Sequence, residues 1–334
     1  MKVLVTGGGG FLGGAIVRLL LERGDHVRSF ARGDYPGLRQ LGAEVIRGDL
    51  GDSNAVTNAA DGCDAIVHVA AKAGVWGSYE SYHSANVIGT QHIISAAHHH
   101  KIRRLVYTSS PSVVFAGKDQ ENVDESAPYP EDFLAFYPHT KAIAEKAVLE
   151  ANGSELATVA LRPHLIWGPG DPHLVPRVLD RARAGRLRII GEQPCLVDSV
   201  YIDNAALAHI SALDRVSPGS RVAGKVYFIS QGEPIPMRDL LNRILQAGGM
   251  PAEDRRVPTW LAYAGGWLLE VLYKLLQRED EPPMTRFVAK QLSTAHYFDL
   301  TAARTDLDYH PSITMDEGFI RLQEWLMKKG QSNG

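Results

Sequence analysis

Short, nearly continuous apolar runs alternate with stretches of helical periodicity through the first half of the chain. Lys2–Thr6, His26–Ala31, Glu44–Arg47, Ala65–Val69 and Arg104–Thr108 are rich in Val, Ile, Leu and Tyr. Runs of this kind predict parallel strands buried on both faces. Between them, Phe11–Arg23, Ser53–Ala60 and Ser84–His100 predict helices, the first closed by Gly24. Tyr137–Ala151 predicts another, with Ala142, Ile143, Ala147 and Val148 set against a charged face, and a strand at Leu156–Leu161 follows. Strand–helix alternation implies right-handed crossovers and an α/β fold built on a doubly wound parallel sheet with helices on both faces.

The alternation breaks up after about residue 165. Pro169, Pro172 and Pro176 precede a short basic helix near Arg177–Ala184, and a strand at Val226–Ile229 leads into a mainly helical stretch from Gly232 onward. We expect a domain over residues 1–165 and a smaller, mainly helical C-terminal substrate lobe over 166–334, with some elements returning to the first domain. Trp260–Leu276 is the most apolar segment of that lobe. Glu270 and Lys274 interrupt it at i,i+4, a pair suited to a wet face, and it is shorter than the ~20 residues of a membrane span. A buried amphipathic helix is the expectation; a lid over an apolar substrate and a surface-docking helix are the alternatives.

Composition changes the picture little. The net charge is −3 with 22% charged residues, which supplies no electrostatic reason to expect nucleic acid or an anionic membrane as partner. Two cysteines, Cys63 and Cys195, are too few for a disulfide framework and point to a reducing compartment, the cytoplasm. No secretion signal is visible in the first residues.

Candidate chemistry begins at the end of the first strand, where Thr6-Gly-Gly-Gly-Gly-Phe-Leu-Gly13 opens a helix. Gly7, Gly10 and Gly13, with Phe11 and Leu12 between them, are spaced to let a pyrophosphate approach a helix N-terminus, the signature of a Rossmann-type dinucleotide fold. The second strand ends Ala31-Arg32-Gly33, without the carboxylate that would accept from a ribose 2′-hydroxyl and with a guanidinium that suits a 2′-phosphate. NADP(H) is the cofactor expected. Asp49-Leu50 is placed near the adenine, and Ala70-Ala71, after His68-Val69, where the cofactor approaches the sheet edge.

Of twelve tyrosines only Tyr137 is followed four residues later by lysine, Lys141. On a helix the two share a face, where an ammonium would lower the phenol's pKa and hold ribose hydroxyls. Thr108-Ser109-Ser110 ends the fifth strand at the same sheet edge, where a hydroxyl can polarise a carbonyl oxygen. Ser110, Tyr137 and Lys141 are therefore the expected catalytic residues of a carbonyl/alcohol redox reaction.

These motifs, with Leu161-Arg-Pro-His-Leu-Ile-Trp-Gly-Pro-Gly170 and Val200-Tyr-Ile-Asp-Asn204, resemble the extended short-chain dehydrogenases/reductases, and within them the 3β-hydroxysteroid dehydrogenase branch. The resemblance covers essentially the whole chain. It implies Ser110 rather than Ser109 as the catalytic serine, Pro163 beside the nicotinamide, and Asn86 near the site. Ala71–Tyr79 and Ile229–Met237 look like members that act on lipid β-oxo acids. The activity so implied is reduction of a long-chain 2-alkyl-3-oxo acid to the 3-hydroxy acid, followed by partner enzymes of olefin biosynthesis that form a β-lactone and then an alkene. A homodimer through the helices 84–100 and 137–151 is implied in the same way. A steroid or sterol-carboxylate dehydrogenase, a nucleotide-sugar epimerase or dehydratase, and a non-catalytic NADP(H) sensor are the rival readings. His98-His-His100 faces different ways on a helix and is read as a solvated helix end, with no metal site expected. The arginines at 177, 181, 183, 186 and 188 are read as a solvated surface.

Overall fold

A computed structural model describes residues 1–191 and 194–332. β1 (Lys2–Thr6), α1 (Phe11–Glu22), β2 (His26–Ala31), α2 (Pro36–Gln40), β3 (Glu44–Arg47), α3 (Ser53–Ala60) and β4 (Ala65–His68) come first. α4 (Tyr79–Tyr82), a π-helical turn (His83–Ile88) and α5 (Gly89–His99) then follow one another directly. The helix expected at Ser84–His100 thus starts earlier and contains one wider, under-wound turn, a feature that apolar spacing does not report. β5 (Arg104–Thr108), β6 (Gln120–Val123), α6 (Phe136–Glu150) and β7 (Ala157–Pro163) follow.

The second half contains β8 (Ile166–Trp167), α7 (Leu174–Arg183), β9 (Ile189–Ile190), β10 (Leu196–Val197), β11 (Val200–Tyr201), α8 (Ile202–Arg215) and β12 (Lys225–Ile229). It continues with β13 (Ile235–Pro236), α9 (Met237–Ala247), β14 (Arg256–Val257), α10 (Thr259–Leu275), α11 (Arg286–Ser293), β15 (His296–Phe298), α12 (Thr301–Leu307) and α13 (Met315–Ser332).

Seven strands form the central sheet in the order β12-β7-β5-β4-β1-β2-β3, all parallel. Alternate residues feed opposite faces, as a pleated strand requires. Val3, Val5, Val67, Val106 and Val159 pack on one side, and Leu4, Ile66, Leu105 and Ala160 on the other. The strand order reverses between β1 and β4, so a crevice opens there at the carboxyl ends of the strands. The strand expected at Val226–Ile229, within the second lobe, is the central sheet's edge strand, β12, paired in register with β7 from Lys225 opposite Val159. α8 also returns, held to α1 by Arg18–Asp203 (3.2 Å) and Arg23–Asp214 (2.7 Å).

α10 departs from the expected buried helix. Only Ala262, Gly266, Glu270 and Tyr273 are buried, while Trp260, Trp267, Leu268 and Leu275 are exposed. Glu270 is not on a wet face: its carboxylate accepts from the Arg286 backbone amide (2.7 Å) and pairs with the Arg286 guanidinium (2.8 Å). A partner sixteen residues away outweighed the i,i+4 neighbour Lys274, so the helix turns its polar and small residues inward. Among the described residues no helix is long and apolar enough to cross a membrane.

Candidate active site

The glycine loop is built for close approach. Gly7 takes φ +69°, open to glycine at no steric cost, and its carbonyl accepts from the Gly10 amide at 2.8 Å. A Cβ on Gly13 would sit 2.1 Å from the Gly7 oxygen, and one on Gly7 would sit 2.9 Å from the Ala70 backbone. Gly10 ends the loop in an extended conformation and caps α1 without a side-chain hydrogen bond, which leaves the first-turn amides for an anion. The loop forms one wall of a cleft of about 920 Å³ that is also lined by Phe11, Leu12, Arg32, Asp49, Leu50, Ala70, Ala71, Tyr137 and Lys141. The residues singled out in the sequence are brought together here, with two exceptions. Pro163 is buried in β7, and Leu165 and Ile166 border the cleft in its place. Ser109 lines the cleft, whereas Ser110 is half-buried beside it and reaches it through its hydrogen bond to Tyr137.

At the far end of the cleft Arg32 is exposed, and its carbonyl accepts from the Arg47 guanidinium at 2.9 Å. Asp34, the nearest acid in sequence, is paired with Arg39. Tyr35, which sequence reasoning passed over, lies against Gly9 and Gly33 and lines the same end. Asp49 accepts from the Gly51 amide (2.8 Å), and the cap of α3 is Asp52, which takes the amides of Asn54 and Ala55. This end of the cleft therefore carries the Arg32 side chain, with Arg47 bonded to the Arg32 backbone.

α6 carries the reactive groups. Lys141 is 2% exposed, donates from Nζ to the Thr108 carbonyl (2.6 Å) and lies over the Tyr107 ring at 4.2 Å. Burial pulls its pKa down to about 7, against the opposing pull of Glu145 one turn further along. Burial also raises Tyr137 above the ordinary phenol value, and a hydrogen bond from Ser110 brings it partway back. The net shift of Tyr137 is therefore upward, opposite to the lowering expected from Lys141. Tyr137 accordingly holds its proton at neutral pH. Ser110 also accepts from the Ser112 amide (3.2 Å) and shares a proton with the Ser112 hydroxyl (2.9 Å). The Ser109 hydroxyl is buried with no hydrogen-bond partner among the described residues.

Two networks seat these groups. The Asn86 side chain, on the π-helical turn, binds Lys72 through both backbone atoms (2.7 and 3.1 Å) and donates to Thr140 on α6 (3.1 Å). Single π-turns recur at functional sites, and this one ties the loop after β4 to α6. Below it, Glu145 receives two bonds from Arg162 of β7 (2.6 and 3.0 Å) and one from the Tyr129 hydroxyl (2.6 Å). His68 is fixed between Thr6 (2.7 Å) and Thr90 (3.0 Å) and is held neutral by burial, its pKa near 3.

Lys72 was not singled out by any motif. Its ammonium donates to Ser81 (2.6 Å) and lies over Tyr82, with no carboxylate in ion-pair range among the described residues. It stands where the first cleft meets a second, of about 740 Å³, walled by Val75, Trp76, Phe133, Leu134, Phe136 and Phe287. Elsewhere, His98 and His99 are exposed, and His100 bonds the Thr57 carbonyl (2.9 Å).

A glycine cradle, a strand-end serine and a Tyr/Lys pair on one sheet edge describe a nicotinamide-dependent oxidoreductase acting on alcohol and carbonyl groups. Residues 4–259 match the model of the 3-beta hydroxysteroid dehydrogenase/isomerase family, and the chain belongs to that family. It is 54% identical to the 2-alkyl-3-oxoalkanoate reductase of Stenotrophomonas maltophilia (strain K279a) across 97% of this chain and 98% of that one. It is 34% identical to the sterol-4-alpha-carboxylate 3-dehydrogenase, decarboxylating, of Mus musculus, across 96% and 89%. Its fold is shared by dTDP-glucose 4,6-dehydratase of Streptomyces venezuelae, solved with NAD bound (TM-score 0.77, 22% identity, 99% and 98% coverage).

Two outcomes are expected. Tyr137→Phe should lower kcat by roughly 10²–10⁴-fold, the scale of a lost general acid, in steady-state assays of dinucleotide oxidation; near-normal turnover would remove Tyr137 from the chemistry. Lys141 is an ammonium below about pH 7 and an amine above it. Because kcat/KM for the dinucleotide reports the free enzyme, it should fall as pH rises through that value. A profile flat from about pH 6 to about pH 9 would contradict the requirement for the charged form.

Proposed function

We propose that the chain reduces a long-chain 2-alkyl-3-oxoalkanoic acid to the 2-alkyl-3-hydroxyalkanoic acid with NADPH, supplying enzymes of olefin biosynthesis that consume the hydroxy acid. The observation that carries the substrate class is Lys72, a cation without a carboxylate partner among the described residues, at the junction of the cofactor cleft and a second cleft that has one aromatic and aliphatic wall and a charged rim. A substrate with an acid at one end and two alkyl chains at the other matches that pairing. The names of the relatives lend weight to the same reading.

A bound dinucleotide supplies the hydride for the carbonyl carbon. Tyr137, a phenol at neutral pH, gives its proton to the oxygen as charge develops there. Ser110 stands beside the Tyr137 hydroxyl and orients it, and Lys141 holds the edge of the sheet through Thr108 while offering its remaining N–H groups to ribose hydroxyls. Lys72 binds the substrate carboxylate, which places the neighbouring 3-oxo group at Tyr137.

Rates of NADPH oxidation with a long-chain 2-alkyl-3-oxo acid, a 3-oxosteroid and a nucleotide sugar test the assignment. The acid should be the preferred substrate, and turnover of the steroid alone would overturn it. Lys72→Met should raise KM for the acid about 10–100-fold with kcat nearly unchanged, the scale of one charge-assisted hydrogen bond, and Lys72→Arg should restore most of it. An unchanged KM would move the carboxylate elsewhere. Arg32 supports the choice of NADPH: Arg32→Ala should raise KM for NADPH about tenfold or more and leave KM for NADH almost unaltered. Equal efficiency of wild-type protein with both cofactors would refute that choice.

A further inference from the structure

α10 is amphipathic in the reverse sense from a core helix. Its inner face is small and polar: a Cβ on Gly266 would lie 2.7 Å from the Thr285 backbone, and Glu270 is spent on Arg286. Its outer face carries Trp260 (71% exposed), Trp267, Leu268 (60%), Leu272, Leu275 (76%) and Leu276. Steps of seven, one, four, three and one residues put these on one stripe along the helix. The ion pair and the glycine contact lock this rotation, so the apolar stripe cannot roll inward.

Among the described residues the surroundings of the stripe are cationic at its N-terminal end and balanced at the other, although the whole chain carries −3. Arg255 and Arg256 immediately precede the helix, and Arg188 flanks β9, the strand paired with β14, with Arg186 just before it. Arg186 and Arg256 are exposed, with no acidic partner among the described residues. Arg188 and Arg255 share Glu253, and Asp254 is the exposed acid beside them. At the other end Lys274 is exposed, Asp280 is taken by Arg278 and Glu281 by Arg177, leaving Glu279 as the uncompensated acid. The inner edge of the helix, through Tyr273, Lys274 and Gln277, lines the second cleft that Lys72 adjoins.

We propose that α10 docks the enzyme on an anionic lipid surface, lying in the interface plane with its tryptophans and leucines among the acyl chains and the neighbouring arginines on the headgroups. Tryptophan at such a boundary and basic residues beside an apolar stripe are what an in-plane helix requires. The charge favours lipid over a second copy of the chain, whose own arginines would face these. Docking rests on α10 itself. Passage of alkyl chains from the bilayer past α10 into the second cleft rests on the substrate reading above, and the two fail separately.

The test is co-sedimentation of the full chain with vesicles of phosphatidylcholine alone and of phosphatidylcholine with about 30% phosphatidylglycerol. Binding to the anionic vesicles, weakened by salt and reduced at least tenfold in Trp267→Glu/Leu268→Glu, is the expected result. Reduction of a short, water-soluble 2-alkyl-3-oxo acid by that variant should stay at the wild-type rate, which shows that it is folded. Absence of sedimentation with the anionic vesicles, or binding unaffected by the double substitution, overturns the proposal. So does a concentration-dependent dimer by sedimentation velocity that the same substitutions dissolve while wild-type protein ignores vesicles. Failure of the wild-type protein to reduce the acid while it binds the anionic vesicles would instead count against the substrate reading and leave docking supported.

Discussion

The active site depends on how one helix is seated, and a buried ion pair seats it. Glu145 and Arg162 lie at 0% and 2% exposure between α6 and β7, joined by two hydrogen bonds and completed by the Tyr129 hydroxyl. Removing one partner of such a pair leaves an uncompensated buried charge and costs about 3–5 kcal/mol, so the pair is a strong constraint on position whatever its net contribution to stability. It fixes the azimuth of α6. With that settled, Lys141 one turn back must point at the Thr108 carbonyl, and Tyr137 a further turn back must reach the cleft beside Ser110.

The remaining parts of the site converge on this helix from different strands. The switch between β1 and β4 opens the crevice, the glycine loop narrows it, and Asn86 bridges the loop after β4 to Thr140. The same Asn86 holds the backbone of Lys72. The loop after β4, α6 with Tyr137 and Lys141, and Lys72 are therefore one connected piece of hydrogen-bonded structure. Lys141 is poised in it near neutrality because the burial that positions it also destabilises its charge.

Much of this was legible in the sequence because the determinants are local. Buried parallel strands announce themselves by continuous apolar runs, and β1, β2, β3 and β5 lie where those runs do. The glycine loop and the Tyr137/Lys141 spacing are likewise short-range patterns, and the structure brings both to one cleft. What was not legible depends on neighbours distant in the chain. Lys72 has no motif; it is noticed only because the fold sets it where two clefts meet. Tyr35 matters through its contact with Gly9, and β12 through its pairing with β7. α10 is the sharpest case. Its composition resembles a core helix, but Glu270 finds Arg286 across a turn of chain, and that contact reverses the faces.

The reaction proposed is hydride transfer to the 3-oxo carbon of an alkylated β-oxo acid, with Tyr137 as proton donor. The most direct measurement is mass spectrometry of the product formed from NADPH deuterated at the transferable position and a long-chain 2-alkyl-3-oxo acid. The account predicts one deuterium, at C3 of the 2-alkyl-3-hydroxy acid, from wild-type protein and almost none in the same time from Tyr137→Phe. Product without deuterium at C3, or equal labelling by the two proteins, would contradict it.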